Sequence, residues 1–160
     1  KVFQPAFEER NISFVNTELA DLPIICADKD LLYKVFYHVI GNAIKYTPDG
    51  GKVTVKGRII EAVRPEIEIA VQDTGIGIGP QNQQLVFEKF YQTGEVLLHS
   101  SGKTKFKGGG PGLGLAISRG IVNAHHGRIW LESPGYNEET NPGTTVFVRL
   151  PVNGPNHESI

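Results

Sequence analysis

The most restrictive feature of this chain is a strand that runs directly into three glycines. Glu66-Ile67-Glu68-Ile69-Ala70-Val71 alternates polar and apolar residues, the pattern of a half-buried β-strand. Gln72-Asp73-Thr74-Gly75-Ile76-Gly77-Ile78-Gly79 follows, so the strand ends beside a carboxylate. A carboxylate fixed there can accept a hydrogen bond from the exocyclic amine of adenine, where guanine carries a carbonyl. Glycines let the backbone approach a flat ring or a phosphate closely. Asp-x-Gly-x-Gly also makes ordinary turns, and the segment alone leaves both readings open.

A second constraint lies upstream. Apolar residues at positions 31, 32, 35, 36, 39, 40, 43 and 44 form one stripe of an amphipathic helix, with Asp28 as its expected N-cap. His38, Asn42 and Lys45 fall three and four apart in a polar row beside the stripe, and Tyr46 follows Asn42 by one turn. Such a row is usually a solvated face. Asn is a poor helix former, however, and Gly41 beside it removes bulk, so the row also fits a site that needs room. Residues 11–15 and 24–27 read as two short strands, which would make Cys26, the single cysteine, a small buried strand residue. Thr47-Pro48-Asp49-Gly50-Gly51 ends the helix with turn chemistry. Residues 53–56 and 58–61 then read as a strand antiparallel to the central one.

Downstream, residues 80–87 suit a short helix with Pro80 near its start. Residues 92–111 lack apolar periodicity, and a loop of that length in a compact domain is usually functional or disordered. Seven glycines fall from Gly94 to Gly114, and the loop leads to Gly108-Gly109-Gly110-Pro111-Gly112-Leu113-Gly114-Leu115. From Leu113 a helix resumes, with Ala116, Ile117, Gly120, Ile121 and Ala124 on one face. A glycine-rich loop feeding a helix N-terminus offers an anion free N–H groups and the helix dipole. Residues 128–132 and 144–150 read as the last two strands. Gly102-Lys103-Thr104 echoes the end of a P-loop, but Leu97 stands where the first glycine belongs and no apolar strand precedes it. That match is rejected.

Composition narrows the class. A chain of 160 residues suits one domain with a sizeable core. A net charge of −1, with Lys and Arg scattered, argues against a broad nucleic-acid or membrane-binding face. A single cysteine excludes an internal disulfide, and no apolar run is long enough to span a bilayer.

Taken together, the order of strands, helices and glycine segments resembles the catalytic ATP-binding domain of sensor histidine kinases. That family belongs to the Bergerat-fold group with gyrase, the heat-shock ATPase chaperones and the mismatch-repair ATPases. The resemblance covers roughly residues 7–152. Asn42-Ala43-Ile44-Lys45-Tyr46-Thr47 is similar to the N box and Asp73-Thr74-Gly75-Ile76-Gly77 to the first glycine box. Phe87-Glu88-Lys89-Phe90 resembles the F box, and Gly110-Pro111-Gly112-Leu113-Gly114-Leu115 the second glycine box. His126-Gly127-Arg128-Ile129-Trp130-Leu131-Glu132-Ser133 and Pro142-Gly143-Thr144-Thr145 resemble the strand and the glycine turn that follow.

The resemblance implies a two-layer α/β sandwich, with a mixed, mainly antiparallel sheet and helices on one face. It implies ATP and Mg²⁺ as cofactors, held between the long helix and a mobile lid. Asn42 would put its side-chain oxygen on Mg²⁺, Lys45 would supply charge to phosphate, and Tyr46 and Tyr91 would pack near the nucleotide. Asp73 would accept from the adenine amine, with Gly75, Gly77 and Thr144 around it. The backbone of Gly110, Gly112, Leu113, Gly114 and Leu115 would cradle phosphates. Three positions depart from the commonest kinase pattern: His38 stands where Asn or Glu is frequent, Gln92 where Arg is, and Pro111 where Thr or Ser is. His38 is the candidate catalytic base, with a polar filler of that position as the equal alternative. Lys103, Lys105 or Lys107 could replace the missing arginine charge.

Kinases of this family phosphorylate a histidine on a dimerisation helix, in a segment beginning His-Glu or His-Asp. Only His157 is followed by an acid here, and it lies in the tail. The expected organisation is therefore a connection to dimerisation helices at residues 1–6, a catalytic domain at 7–152 and a tail at 153–160. The expected partners are the dimerisation and phosphoacceptor helices of the same parent and a response regulator, with no nucleic acid and no direct membrane contact. The expected location is cytoplasmic, whether or not the parent is membrane-bound. A Bergerat-fold ATPase clamp, or a nucleotide-sensing interaction module without transfer, are the alternatives.

Overall fold

A computed structural model of the chain describes residues 1–88 and 114–154. The element order is α1 (Gln4–Glu9), β1 (Ser13–Thr17), α2 (Lys29–Tyr46), β2 (Lys52–Ile60) and β3 (Glu66–Asp73). Two 3₁₀ turns follow, Pro80–Asn82 and Leu85–Phe87, then α3 (Gly114–Ala124), β4 (Arg128–Glu132) and β5 (Thr144–Pro151). The five strands form one sheet in the order β1-β2-β3-β5-β4. Only the β1–β2 pair is parallel. The expected mixed, mainly antiparallel sheet is what the chain builds.

Alternation explains the two faces. Val53 and Val55 of β2, Ile67, Ile69 and Val71 of β3, and Val146, Val148 and Leu150 of β5 are buried together. Val35, Val39, Ala43 and Ile44 of α2 and Val122 of α3 close this core from the helical side. The other face carries no helix among the described residues but is not bare. Trp130 stacks on Phe147 with centroids 5.1 Å apart, and the guanidinium groups of Arg128 and Arg149 lie over the indole. Glu68 is 3 % exposed there because Arg58 and Arg149 each bond it at 2.6 Å. Burial pushes its carboxyl up, yet the two guanidinium groups together hold it below its ordinary value.

Asp28 caps α2, its Oδ1 accepting from the N–H groups of Asp30 and Leu31. At the other end Arg10, from the end of α1, donates to the carbonyls of Ile44 and Thr47 and pairs with Asp49. These carbonyls are among those a helix leaves unsatisfied at its C-terminus. The N-terminal segment is thus fastened to the turn that bears Lys45 and Tyr46.

Several expectations are corrected. Residues 24–27 are not a strand: Cys26 N–H reaches the Val152 carbonyl at 3.2 Å, but Ile24 is 97 % exposed and no ladder forms. Cys26 is consequently exposed rather than buried. The first strand starts at Ser13, because Asn11 takes a positive φ of 49° that no strand accommodates. Residues 80–87 form two separate 3₁₀ turns rather than one helix. Finally, α3 buries Ser118 and Val122, with Leu115 and Ile121 against the core, while Ile117, Gly120 and Ala124 are exposed. Ser118 can occupy the inner face because its hydroxyl donates to the Gly114 carbonyl at 2.8 Å.

Candidate nucleotide site

The site is built where β3 ends. Sheet register pairs Asp73 with Thr144 of β5 and Val53 of β2, so three strands deliver the carboxylate to a fixed place. Asp73 Oδ1 accepts from the backbone N–H of Gly75 at 2.9 Å and of Thr144 at 3.2 Å. Both bonds fall on Oδ1, which leaves Oδ2 for a donor from outside the chain. Burial raises the Asp73 carboxyl from 3.8 to about 7, against the two backbone bonds, which lower it. An added donor at Oδ2 would shift the balance back toward the carboxylate.

The glycines have reasons of their own. A Cβ on Gly75 would lie 2.3 Å from the Tyr46 carbonyl oxygen, and Ile76 N–H donates to that same oxygen at 3.1 Å. Gly77 has φ of 74°, and a Cβ there would collide with the Gly135 carbonyl. Gly143 has φ of 82°, its Cβ would meet the Asp73 carbonyl at 2.3 Å, and its N–H donates to the Gly75 carbonyl. The last turn of α2, the glycine segment and the loop before β5 therefore interlock through backbone contacts.

Two supports had no signal in the local sequence. The Ser133 hydroxyl accepts from Ile78 N–H at 3.0 Å and donates to the Gly143 carbonyl at 2.8 Å. Gln83 Nε2 donates to the carbonyls of Ile78 and Ser133. The Ser133–Ile78 and Gln83–Ser133 bonds join segments 55 and 50 residues apart, and neither residue type stands out without the fold.

On α2, Asn42 is half-buried one turn before Tyr46, and burial lowers the pKa of Lys45, whose ammonium lies 5.1 Å from the Tyr46 ring centroid. His38 lies one turn before Asn42 and touches the start of α3: a Cβ on Gly114 would be 2.9 Å from His38 Nδ1. Leu115 follows, packed against the core. Asn42, Lys45, Tyr46, Asp73, Gly75, Gly77 and Thr144 thus gather around the end of β3 and α2, with His38, Gly114 and Leu115 where α3 meets α2. Tyr91, Gly110, Gly112, Leu113, Gln92, Pro111 and the lid lysines Lys103, Lys105 and Lys107 lie outside the described residues. A cleft of about 400 Å³ also touches Asp73, but Gln72, Glu132 and Thr145 line it from the helix-free face. It is not the space facing α2.

Among the described residues, no cluster of three or more His, Cys, Asp or Glu could hold a metal by itself. A single amide oxygen such as Asn42 Oδ1 nevertheless suits Mg²⁺ that arrives with phosphate, since that ion keeps waters and substrate oxygens as most of its ligands. No helix among the described residues is long and apolar enough to cross a membrane.

A mixed sheet with helices on one face, ending in a buried carboxyl among interlocked glycines, makes an α/β domain with a candidate nucleotide site at the end of β3. Residues 27–154 match the family described as "Histidine kinase-, DNA gyrase B-, and HSP90-like ATPase", and the chain belongs to that family. It is 34% identical over 150 residues to the adaptive-response sensory kinase SasA of Rippkaea orientalis, covering 94% of this chain and 34% of that protein. The chain therefore spans about a third of that relative's length. The mycobacterial sensor histidine kinase MprB superposes with a TM-score of 0.69 at 26% identity, covering 95% of this chain and 90% of that one. Full-length ShkA, solved in complex with AMPPNP, gives 0.75 at 25% identity, covering 96% of this chain and 28% of that one.

Proposed function

We propose that this chain is the ATP-binding catalytic domain of a sensor histidine kinase, which binds Mg-ATP and passes the γ-phosphate to a histidine on a dimerisation segment of its parent. The observation that carries this reading is Asp73, buried and held by two N–H bonds on one oxygen while the other remains for a ligand. Adenine offers an N–H donor at that point and guanine an acceptor, so the site selects ATP. The likeness to ShkA, whose structure holds AMPPNP, supports an adenine nucleotide here as well.

The chain's own residues bind and orient. Asp73 fixes the base, and Tyr46, whose carbonyl holds Ile76, keeps the base site and the end of α2 in one rigid unit. Lys45 adds a point charge toward phosphate, and the N-terminus of α3 adds free N–H groups. Asn42 would hold Mg²⁺, which when bound neutralises phosphate charge. Positioning and charge neutralisation account for most of phosphoryl-transfer catalysis. His38, one turn before Asn42, is proposed to orient the acceptor or to act as base. A response regulator is the proposed downstream partner and the cytoplasm the proposed location.

The test is transfer. The chain is mixed with labelled ATP, Mg²⁺ and the dimerisation segment of its own parent. Label on the acceptor histidine is expected. Nucleotide bound without any transfer would contradict the reading, and hydrolysis by the chain alone that His38→Ala abolishes would favour an ATPase clamp instead.

A further inference from the structure

His125 takes no part in the nucleotide site, yet both of its ring nitrogens are committed. Nδ1 lies 2.8 Å from the Ile121 carbonyl, one turn back on α3. Nε2 lies 3.0 Å from the backbone N of Asp28, the N-cap of α2. A carbonyl can only accept and a backbone N–H can only donate. In this pair of bonds Nδ1 is the donor and Nε2 the acceptor. One imidazole joins the end of α3 to the beginning of α2.

The other end of the helix pair is closed by His38 and Gly114. The His38 ring stands so close to the Gly114 backbone that even a Cβ would sit 2.9 Å from Nδ1. His38 lies ten residues after Asp28, and His125 eleven after Gly114, about 15 and 16–17 Å of helix. The two helices run antiparallel in matched register, with a histidine at each end. Moving α3 by one residue along α2, about 1.5 Å, would break the His125 bond and disrupt the His38–Gly114 contact together.

We propose that His125 is a positioning residue: it sets the register of α3 on α2 and so the distance from the start of α3 to Asn42. The consequence for nucleotide rests on the function proposed above. The start of α3 carries the phosphate-facing N–H groups and Asn42 the metal-facing oxygen, so register governs how well one triphosphate reaches both. Displacements of about 1 Å are enough to weaken such an arrangement. His125 Nε2 acts only as an acceptor, so a side chain that offers an acceptor at the same reach should replace it in part.

The experiment uses the whole chain. In wild type, ¹⁵N spectra of the imidazoles should show His125 as the Nδ1–H tautomer at neutral pH, its signal assigned by its loss in His125→Gln. An Nε2–H ring would overturn the proposal. In calorimetric titrations His125→Ala should bind Mg-ATP about tenfold more weakly, the scale of one lost hydrogen bond. It should also lose the His38–Gly114 nuclear Overhauser contact. His125→Gln, whose Oε1 can accept from Asp28 N–H, should recover most of the affinity. A folded His125→Ala with lowered melting temperature but unchanged affinity and contact would overturn the proposal, as would a Gln variant as weak as Ala. If His125→Ala does not fold, the wild-type tautomer and the Gln variant decide. Absence of ATP binding by wild type would instead fail the functional reading, while the His38–Gly114 contact would still decide the role of His125.

Discussion

The carbonyl oxygen of Tyr46 stands where the Cβ of any residue but glycine would have to go at position 75, 2.3 Å away. It also accepts from Ile76 N–H at 3.1 Å. The end of α2 and the glycine segment are thereby one unit, and Gly75 is required by the chain's own backbone before any ligand arrives. Gly75→Ala should cost about 2 kcal/mol or more, since neither partner is a flexible side chain. ATP affinity should fall at least about tenfold. Urea unfolding and calorimetry together check this. Unchanged values in both would show that the loop relaxes freely.

Asp73 makes nucleotide affinity depend on pH. Burial raises its carboxyl to about 7, so it is largely protonated below that pH. An adenine amine at Oδ2 favours the charged form, so binding expels a proton and affinity should fall as pH drops below about 7. Calorimetry in buffers of different ionisation heat would detect that proton. Stability carries the opposite sign from the usual acid: the folded state binds this proton more tightly than the unfolded one. The Asp73 contribution therefore lowers stability as pH rises from about 4 through about 7 and is constant above. Glu68, held below its ordinary value, contributes stability that is lost only as pH falls into the carboxylate range.

Arg10 and Asp49 form a 2.6 Å ion pair of unequal members, 8% and 72% exposed in their side chains. Arg10 also satisfies the Ile44 and Thr47 carbonyls, whereas Asp49 contributes mainly the pair. Arg10→Ala should therefore destabilise by about 2–4 kcal/mol through buried carbonyls left unpaired. Asp49→Asn should cost less than about 1 kcal/mol, as exposed pairs do. Equal losses in denaturant unfolding would contradict this division.

His126 ends α3 in a left-handed conformation, φ 58°. Its N–H donates to Asn123 and Gly127 N–H to Val122, the paired bonds of a Schellman turn. Glycine adopts that conformation without the Cβ penalty. His126→Gly should raise stability by about 0.5–1 kcal/mol, read from the thermal or denaturant midpoint. A loss would mean that the imidazole makes a compensating contact.

Local patterns made much of the architecture legible. Period-two alternation marked β3, and the apolar stripe with Asp28 marked α2 and its start. The failures have physical causes. An apolar run at 24–27 looks like a strand, but Pro23 and the absence of a pairing partner leave it as surface chain. The expected face of α3 left out Ser118, which is buried because its hydroxyl bonds to its own helix. Of the site, Asp73 and its glycines were conspicuous in sequence. Ser133 and Gln83 were not, because they act through partners the fold alone brings near, Ser133 on Ile78 from 55 residues away.

The function proposed for this chain depends on an adenine site at Asp73, and the decisive experiment is calorimetric titration with ATP and GTP, with and without Mg²⁺. Wild type should bind ATP and not GTP, Mg²⁺ should strengthen binding, and Asp73→Asn should lose it while remaining folded. Equal binding of both nucleotides, or ATP binding indifferent to Asp73→Asn, would contradict an adenine site there.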